Sequence, residues 1–216
     1  MPTAAEFTLT APPSSAVVEQ QLAKIRTRAV ATRNKRILRR AKSEAVLADI
    51  LPAELQDGYS YHVISHGDID ALSYLAHCVK TWPFDYVFVS TWCMAMADVD
   101  QLIGWLTSGR IGELDFCCGE IFPTQYPDET DKLFQLEAQG EPVRVKIARN
   151  HAKIMLAINE DQGVYLAFES SANVNTNPRI EQTTITRDRD LVAFYRDFYD
   201  GIQTTYKNPH APRYAS

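Results

Sequence analysis

RNHAKIMLAINEDQGVYLAFESSANVNTNPRIEQ, residues 149–182, is the stretch of sequence that decides the fold. Side chains of a β-strand alternate between its two faces, so a strand over His151–Ile158 places His151 and Lys153 on one face. The isoleucine and leucine side chains occupy the other face, which enters the core. This alternation predicts an ammonium and an imidazole fixed side by side, an arrangement suited to holding a phosphate next to a nucleophile.

The rest of this stretch, and the residues after it, continue the sheet. A second apolar run predicts a strand over Val164–Glu169, joined to the first by a hairpin loop that ends in Gly163, where a positive φ is easiest. A Ser-Ser-Ala-Asn turn follows at residues 170–173, and Glu181–Thr186 is predicted to be a further strand. The segment Asp190–Ile202 has the pattern of an amphipathic helix. Its predicted inward residues are Leu191, Phe194, Tyr195 and Phe198.

Upstream of this stretch, predicted strands alternate with predicted helices. The strands are Tyr59–Ser65, Phe84–Thr91, Ile111–Cys118 and Pro142–Ile147, and the helices are Ile69–Thr81, Met96–Gly109 and Asp128–Gln139. Asp68 is predicted to cap the first helix. The alternation indicates an α/β fold with a mixed, largely parallel sheet flanked by helices on both faces. Such sheets bind ligands beyond the carboxyl ends of their strands.

Composition limits the class of protein. The 216 residues are 45% hydrophobic, which is enough for one well-filled core. No apolar run approaches the ~20 residues of a membrane span, and the first residues lack the pattern of a signal peptide, so we expect a cytoplasmic protein without a membrane partner. The cysteines show no CxxC spacing and are predicted to be buried and reduced. They are Cys78, Cys93, Cys117 and Cys118.

Positive charge is concentrated near the N-terminus. Residues 1–50 contain nine Lys and Arg against four Asp and Glu, whereas residues 51–216 contain thirteen against twenty-three. Between Val17 and Val46 there is no Gly or Pro, which predicts a helix, and basic residues surround it. We expect this arm to contact the phosphates of a nucleic acid. The residues assigned to that contact are Lys24, Arg28, Arg36 and Arg40. A solvated arm, or one packed on a partner subunit, is the alternative.

Three features of residues 149–182 together resemble the signature of the phospholipase D superfamily. They are His151-Ala152-Lys153, the turn Ser170-Ser171-Ala172-Asn173, and Glu181, in the order of that family's HxK, Gly-Ser-x-Asn and later acidic residue. The preceding strand–helix alternation is similar to the half-domain of the same fold, so the resemblance covers residues 58–203. The chain departs from the family where Ile158 replaces an acidic residue and Ser170 replaces glycine. A hairpin with a chance His and Lys is the alternative.

The resemblance implies phosphodiester hydrolysis without a metal or cofactor. The implied catalytic residues are His151, Lys153, Asn173 and Glu181, and the implied substrate-binding residues in the turn are Ser170 and Ser171. His151 would attack phosphorus and form a phosphohistidine, because a neutral imidazole is a nucleophile at cell pH. Lys153 and Asn173 would hold the non-bridging oxygens. Glu181 would accept a hydrogen bond from the other ring nitrogen of His151.

A second histidine has to protonate the leaving group. Family members with two copies of the motif supply it from the second copy, and single-copy members bring two motifs together across a two-fold axis. The other histidines of this chain, His62, His66, His77 and His210, are not followed by lysine at the second position. The resemblance therefore implies a homodimer with a composite site.

We therefore expect a metal-independent phosphodiesterase, most directly a nuclease that cleaves DNA or RNA. The basic arm favours nucleic acid over phospholipid as its partner. A catalytically inactive nucleic-acid-binding or regulatory protein that keeps the fold and the phosphate pocket is the alternative. The expected organisation is a disordered leader with a basic helical arm over residues 1–45, a phospholipase D-like domain over 46–204, and a flexible tail over 205–216.

Overall fold

The computed structural model of the chain describes residues 35–174 and 179–211. The elements are α1 (Lys35–Ile50), β1 (Ser60–Ser65), α2 (Ala71–Thr81), β2 (Phe84–Thr91), α3 (Met96–Thr107), β3 (Ile111–Gly119), α4 (Phe122–Gln125), α5 (Pro127–Ala138), β4 (Val143–Ala148), β5 (Ile154–Asn159), β6 (Val164–Ser170), β7 (Glu181–Arg187) and α6 (Arg189–Asp200). The described residues from Arg36 onward belong to one compact unit. The predicted leader, Lys24, Arg28 and the last five residues of the predicted tail lie outside the described residues.

The seven strands form one mixed sheet in the order β1-β7-β6-β5-β2-β3-β4. The prediction of an α/β fold with helices on both faces is confirmed, but the prediction of a largely parallel sheet is wrong. Only β2–β3 and β3–β4 are parallel, and the other four pairs are antiparallel. Crossover helices, which give parallel neighbours, stop at β4. After that, β5 and β6 form a hairpin, and β7 inserts between β6 and β1.

This topology collects many strand ends at one edge of the sheet. The carboxyl ends of β1, β2, β3, β4 and β6 lie there, together with the amino ends of the antiparallel strands β5 and β7. We call it the carboxyl edge. Segments that are far apart in the sequence, such as those after Thr91 and before Ile154, therefore meet at this edge.

Helices cover the two faces of the sheet unequally. On one face, the fully buried side chains Leu47 of α1, Leu72 of α2, Leu102 of α3 and Leu133 of α5 belong to a single core with the strands. The other face is covered by α6 alone among the described helices, where Tyr199 packs against Phe88 at 4.5 Å between ring centroids. Within residues 35–174 and 179–211, no helix has both the length and the apolar character to cross a membrane.

The inward face of α6 differs from the prediction. Phe194 and Phe198 were expected inside but are 64% and 62% exposed, whereas Val192 and Tyr199 are buried. The sequence contains two overlapping apolar stripes on this helix, and both have helical spacing. The stripe that ends in Tyr199 is used because its ring reaches Phe88 on the sheet.

Two predictions in the first part of the chain are corrected by local hydrogen bonds. Asp70 caps α2, because its side chain accepts from the Leu72 N–H at 3.3 Å, while Asp68 accepts from the His66 N–H in the turn before. Arg40, predicted to bind nucleic acid, pairs instead with Asp98 and Asp70, and its side chain is only 13% exposed. We therefore remove Arg40 from the expected phosphate contacts.

Helix α1 also runs through the predicted boundary at residue 45. Ser43 and Leu47 on either side of that boundary are buried against the rest of the fold, and the Ser43 hydroxyl donates to the Asp68 carbonyl at 2.7 Å. Arg36, another expected phosphate contact, lies in the first turn of α1. Residues 36–45 of the predicted basic arm thus belong to a helix of the folded unit.

Candidate active site

The predicted site residues come together at the carboxyl edge, from three segments of the chain. His151 and Lys153 precede β5, Ser170 ends β6 with Ser171 and Asn173 following it, and Glu181 begins β7. Strands β5, β6 and β7 are consecutive neighbours in the sheet. The segment that follows β2 adds residues that the sequence did not predict.

His151 and Lys153 lie just before a strand, not on it. The prediction started the strand at His151, whereas β5 starts at Ile154. The backbone of Ala152 explains the difference, because its N–H donates to the Asn150 side chain at 3.1 Å and its carbonyl accepts from the Ser90 hydroxyl at 3.1 Å. These groups are therefore not paired with a neighbouring strand.

Asn150 fixes this segment to the middle of the sheet. Its amide nitrogen donates to the Ser90 hydroxyl at 3.0 Å and to the Cys117 carbonyl at 2.8 Å, at the ends of β2 and β3. Ser90 and Cys117 are both completely buried. A hydrogen-bond network on rigid strands, and not strand pairing, therefore positions His151.

The ammonium of Lys153 lies against the ring of His151. Its Nζ is 3.1 Å from Nδ1 and 3.5 Å from Nε2, and it also donates to the His151 carbonyl. Because the two distances are similar, the ammonium lies against the imidazole ring as a whole. Partial burial lowers the pKa of Lys153, while the charges of Cys93 and Glu181 act in the opposite direction.

Asn173 is held by the segment that follows β2. Its side-chain oxygen accepts from the Trp92 N–H at 3.2 Å and lies 3.5 Å from the Thr91 hydroxyl, which itself accepts from the Val174 N–H. Fixing the oxygen in this way also fixes the direction of the amide nitrogen. Among the described residues this nitrogen has no acceptor, so it is available to donate to a ligand.

Glu181 is bonded to Ser171 and not to His151. The Ser171 hydroxyl donates to the Glu181 carboxylate and accepts from the Gln182 N–H at 3.0 Å. The expected hydrogen bond between Glu181 and His151 is absent from the described contacts, which corrects the role implied by the resemblance. Strand spacing explains this, because β6 separates β7 from β5 and places their ends about 10 Å apart.

The Ser170 hydroxyl shapes the turn. It pairs with the Thr183 hydroxyl at 2.8 Å, donates to the Gln182 carbonyl at 3.2 Å and accepts from the Ala172 N–H at 3.1 Å. These partners satisfy it within the protein. The structure therefore assigns Ser170 to the support of the turn, whereas it was expected to bind substrate.

Ile158, which replaces the acidic residue expected from the resemblance, lies far from the site. Ile158 is buried, 3% exposed, near the end of β5 that is opposite the carboxyl edge. The next residue, Asn159, is also buried and supports the hairpin by donating to the Pro83 carbonyl at 2.8 Å and accepting from the Gln162 N–H at 2.7 Å. The missing acidic side chain therefore affects the hairpin end of the strand.

Trp92 is the main site residue that the sequence analysis missed. Its ring lies 5.1 Å from that of His151, tilted by 55°, and its side chain lies against Gly119, where a Cβ would clash with the indole. The sequence signal was its position directly after a buried strand. Cys93, the next residue, is half-buried and lies near Lys153, although it was predicted to be buried.

The other histidines do not approach His151. His66 lies at the carboxyl edge but after β1, three strands from β5, or about 14 Å at the usual strand spacing. The remaining three bond elsewhere: His62 to Thr184, His77 to the Pro52 carbonyl and His210 to Asp131. Within the described residues there is also no cluster of three His, Cys, Asp or Glu residues arranged to hold a metal ion.

Comparison with known proteins gives structural likeness only. No family model and no curated protein matches the chain. An archaeal chromatin protein, TrmBL2, whose structure is described as showing a novel mode of DNA binding, is 10% identical, with 88% of this chain and 65% of that chain covered and a TM-score of 0.49. This chain thus spans just under two thirds of the length of TrmBL2.

Two further solved structures are similar to a comparable degree. NucT from Helicobacter pylori is 15% identical, with 66% of this chain and 94% of that chain covered and a TM-score of 0.48. Polyphosphate kinase from Porphyromonas gingivalis is 15% identical, with 70% of this chain and 25% of that chain covered and a TM-score of 0.49. All three TM-scores lie below 0.5, so the interpretation of the site rests on its own geometry.

Proposed function

We propose that this protein is a metal-independent phosphodiesterase with a phospholipase D-like fold, which cleaves DNA or RNA through a phosphohistidine on His151. The observation that carries the proposal is the meeting of an imidazole, an ammonium and a side-chain amide at the carboxyl edge. His151 and Lys153 are in contact, and Asn173 is fixed to the neighbouring segment with its amide nitrogen available. These groups supply a nucleophile and two donors for phosphate oxygens.

The reaction proceeds in two displacements at phosphorus. A neutral ring nitrogen of His151 forms a bond to phosphorus, and the bond from phosphorus to the leaving oxygen breaks. Lys153 and Asn173 donate to the non-bridging oxygens, where negative charge develops. Loss of one such donor lowers kcat by a factor of roughly 10²–10³. Water then attacks phosphorus and gives a proton to the histidine that protonated the leaving oxygen, the N–P bond breaks, and His151 is regenerated.

The leaving oxygen takes its proton from a second copy of the chain. Within one chain, the nearest other histidine along the carboxyl edge is His66, about 14 Å from the start of β5 at the usual strand spacing. A two-fold axis beside the site brings a second His151 to the opposite side of the phosphate. The proposed enzyme is therefore a homodimer in which one His151 attacks while the other acts as general acid.

The basic N-terminal residues favour nucleic acid as the substrate. Lys24, Arg28 and Arg36 remain in the proposed phosphate-contacting set, since each neutralised phosphate adds affinity whatever the base sequence. Binding to a polymer of phosphodiesters through these residues raises the concentration of scissile bonds near His151. The acidic remainder of the chain limits this contact to the N-terminal residues and the site.

One observation favours a second function, binding without turnover. The His151 ring lacks a carboxylate partner among the described contacts, because Glu181 is held by Ser171. A carboxylate on the other ring nitrogen stabilises the imidazolium form and fixes the tautomer. Without that partner, the same pocket suits a DNA-binding or RNA-binding protein that holds phosphate without cleaving it.

Cleavage assays in EDTA separate the two functions. The full-length protein is incubated with single-stranded and double-stranded DNA and RNA, and we expect cleavage that His151→Ala abolishes. His62→Ala is the matched control, since this exposed histidine lies on β1, away from the site, and its ring bonds to Thr184. Cleavage that requires a divalent cation, or survives His151→Ala, contradicts the proposal. Gel shifts without cleavage by the wild-type protein support the binding function.

A further inference from the structure

Trp92 is built into the site as a fixed aromatic surface. It follows β2 directly, its backbone N–H is bonded to Asn173, and its indole lies against the Cα of Gly119. A side chain at Gly119 would collide with the indole ring, so the close approach depends on glycine. These contacts hold the ring in one place beside His151 without burying it.

The indole keeps a surface that the protein does not use. Trp92 is 36% exposed, an unusual exposure for a tryptophan that contacts its neighbours this closely. Its indole N–H has no acceptor among residues 35–174 and 179–211. The exposed indole face and the indole N–H lie next to His151. Together they suit the binding of a planar aromatic ligand with polar groups at its edge.

A guanidinium lies on the same side. Arg149, two residues before His151, has a side chain that is 88% exposed, and its Nε lies 3.5 Å from the Glu120 carboxylate just after β3. Trp92 follows β2 and Glu120 follows β3, and both strands lie on the same side of β5 in the sheet, so Arg149 lies on the Trp92 side of the nucleophile. A strand of nucleic acid that passes His151 on this side meets an aromatic ring and then a guanidinium.

We propose that Trp92 stacks on an unpaired nucleobase next to the scissile phosphate, and that the preferred substrate is therefore single-stranded nucleic acid. The inference rests on the proposed function and names its substrate class. Bases inside a duplex are already stacked on both faces, whereas an unpaired base offers a free face to an aromatic side chain. Stacking of this kind tolerates any base sequence, because every base has such a face.

The test compares three oligonucleotides with the same backbone: a single strand, its duplex, and a single strand that carries abasic sites. Cleavage and binding are both measured, the latter by fluorescence anisotropy in EDTA, for wild type, Trp92→Ala and Trp92→Phe. We expect wild type to prefer the intact single strand. Trp92→Ala should weaken its binding and raise its KM about tenfold, as stacking on one base allows. Binding of the abasic strand should be the same for wild type and Trp92→Ala. Trp92→Phe should bind the intact single strand almost as tightly as wild type does.

Two results of these measurements would overturn the inference. Equal effects of Trp92→Ala on intact and abasic strands overturn the inference, because Trp92 then acts only by supporting His151. A wild-type preference for duplex also overturns it. If no substrate is cleaved, the proposed function fails, and anisotropy still decides whether Trp92 recognises bases. Gly119→Ala provides a second variant that retains the indole but displaces it, and it should reproduce the loss of base-dependent binding.

Discussion

Lys153 supplies the positive charge of the site, and its surroundings have opposite effects on the pKa of its ammonium. Partial burial lowers the pKa of its ammonium, and the charges of Cys93 and Glu181 raise that pKa again. Glu181 stays close because the Ser171 hydroxyl donates to its carboxylate. We therefore assign Glu181 the role of keeping Lys153 charged, in place of the role of orienting His151.

This role predicts a pH effect for Glu181→Gln. Removing the carboxylate charge lowers the pKa of Lys153 further, so Lys153 loses its proton at a lower pH. The alkaline limb of the kcat/KM profile should move to lower pH, while activity at neutral pH changes less. Rates from pH 6 to pH 10 measure this shift on a small phosphodiester.

Ser171→Ala is the control for that prediction. It removes the hydrogen bond to Glu181 but keeps the carboxylate charge, so the alkaline limb should move less than in Glu181→Gln. An unmoved limb in Glu181→Gln, or a shift of the acidic limb instead, contradicts the role assigned to Glu181.

At the residue scale, the sequence predicted which groups meet but not how they are held. The spacing of His151, Lys153 and Asn173 in the motif was sufficient to bring them to one place. The supporting contacts of Asn150 and Ser90 come from segments sixty residues apart. Such contacts depend on the order of strands in the sheet, which no local pattern encodes.

At the scale of elements, α1 is attached to the domain by a buried ion cluster. The Arg40 guanidinium lies between Asp98 of α3 and Asp70, the cap of α2, and both carboxylate side chains are 5% exposed. Burial, together with the charge of Asp70, raises the pKa of Asp98 to about 6, although Arg40 acts to lower it. The Arg40 guanidinium thus pairs with two buried carboxylates.

Arg40→Met should destabilise the fold by about 3–5 kcal/mol at pH 8, because it removes a guanidinium that pairs with two buried carboxylates. Without Arg40 the pKa of Asp98 rises further, so Asp98 takes up a proton as the pH falls and the repulsion decreases. The loss should therefore be smaller at pH 5 than at pH 8. Urea unfolding at both pH values measures it.

Lys132→Met provides a matched control for the ion cluster. Its partner Asp100 is also on α3, but the two side chains are 42% and 52% exposed. An exposed pair contributes about 0–1 kcal/mol, and no pH dependence between 5 and 8 is expected. If Arg40→Met loses as little free energy of unfolding as Lys132→Met, or loses more at pH 5 than at pH 8, the ion cluster does not stabilise the fold in this way.

Element positions were predictable where the pattern was local. The strand Phe84–Thr91 was predicted with its observed ends. The largely parallel sheet was not found, because the insertion of β7 between β6 and β1 is a non-local pairing. The inward face of α6 was missed because Phe194 and Phe198 fit a helical stripe as well as Val192 and Tyr199 do.

At the scale of the whole molecule, the proposed site needs two chains. Each chain supplies one His151, and the proposed reaction uses one as nucleophile and one as general acid. A dimer with a single His151 then lacks either the nucleophile or the general acid, so it should be inactive. This differs from a protein with independent sites, in which every intact chain retains its own activity.

Mixed dimers test this dependence. When wild type and His151→Ala are co-expressed at equal levels and assort at random, about one quarter of the dimers contain two intact chains. Activity per total protein should fall to about one quarter of wild type, whereas independent sites retain about one half. Co-expression with His62→Ala is the control and should leave activity unchanged. Retention of half the activity contradicts a shared site.

Attack by His151 is the central claim, and trapping the covalent intermediate tests it most directly. The protein is mixed with excess substrate, quenched in alkali, where phosphohistidine survives, and digested for mass spectrometry. We predict an adduct on His151 in which phosphorus still carries the part of the substrate that has not left; it appears before the reaction reaches steady state and is absent from His151→Ala. Turnover without an adduct, or an adduct on another residue, would contradict the account.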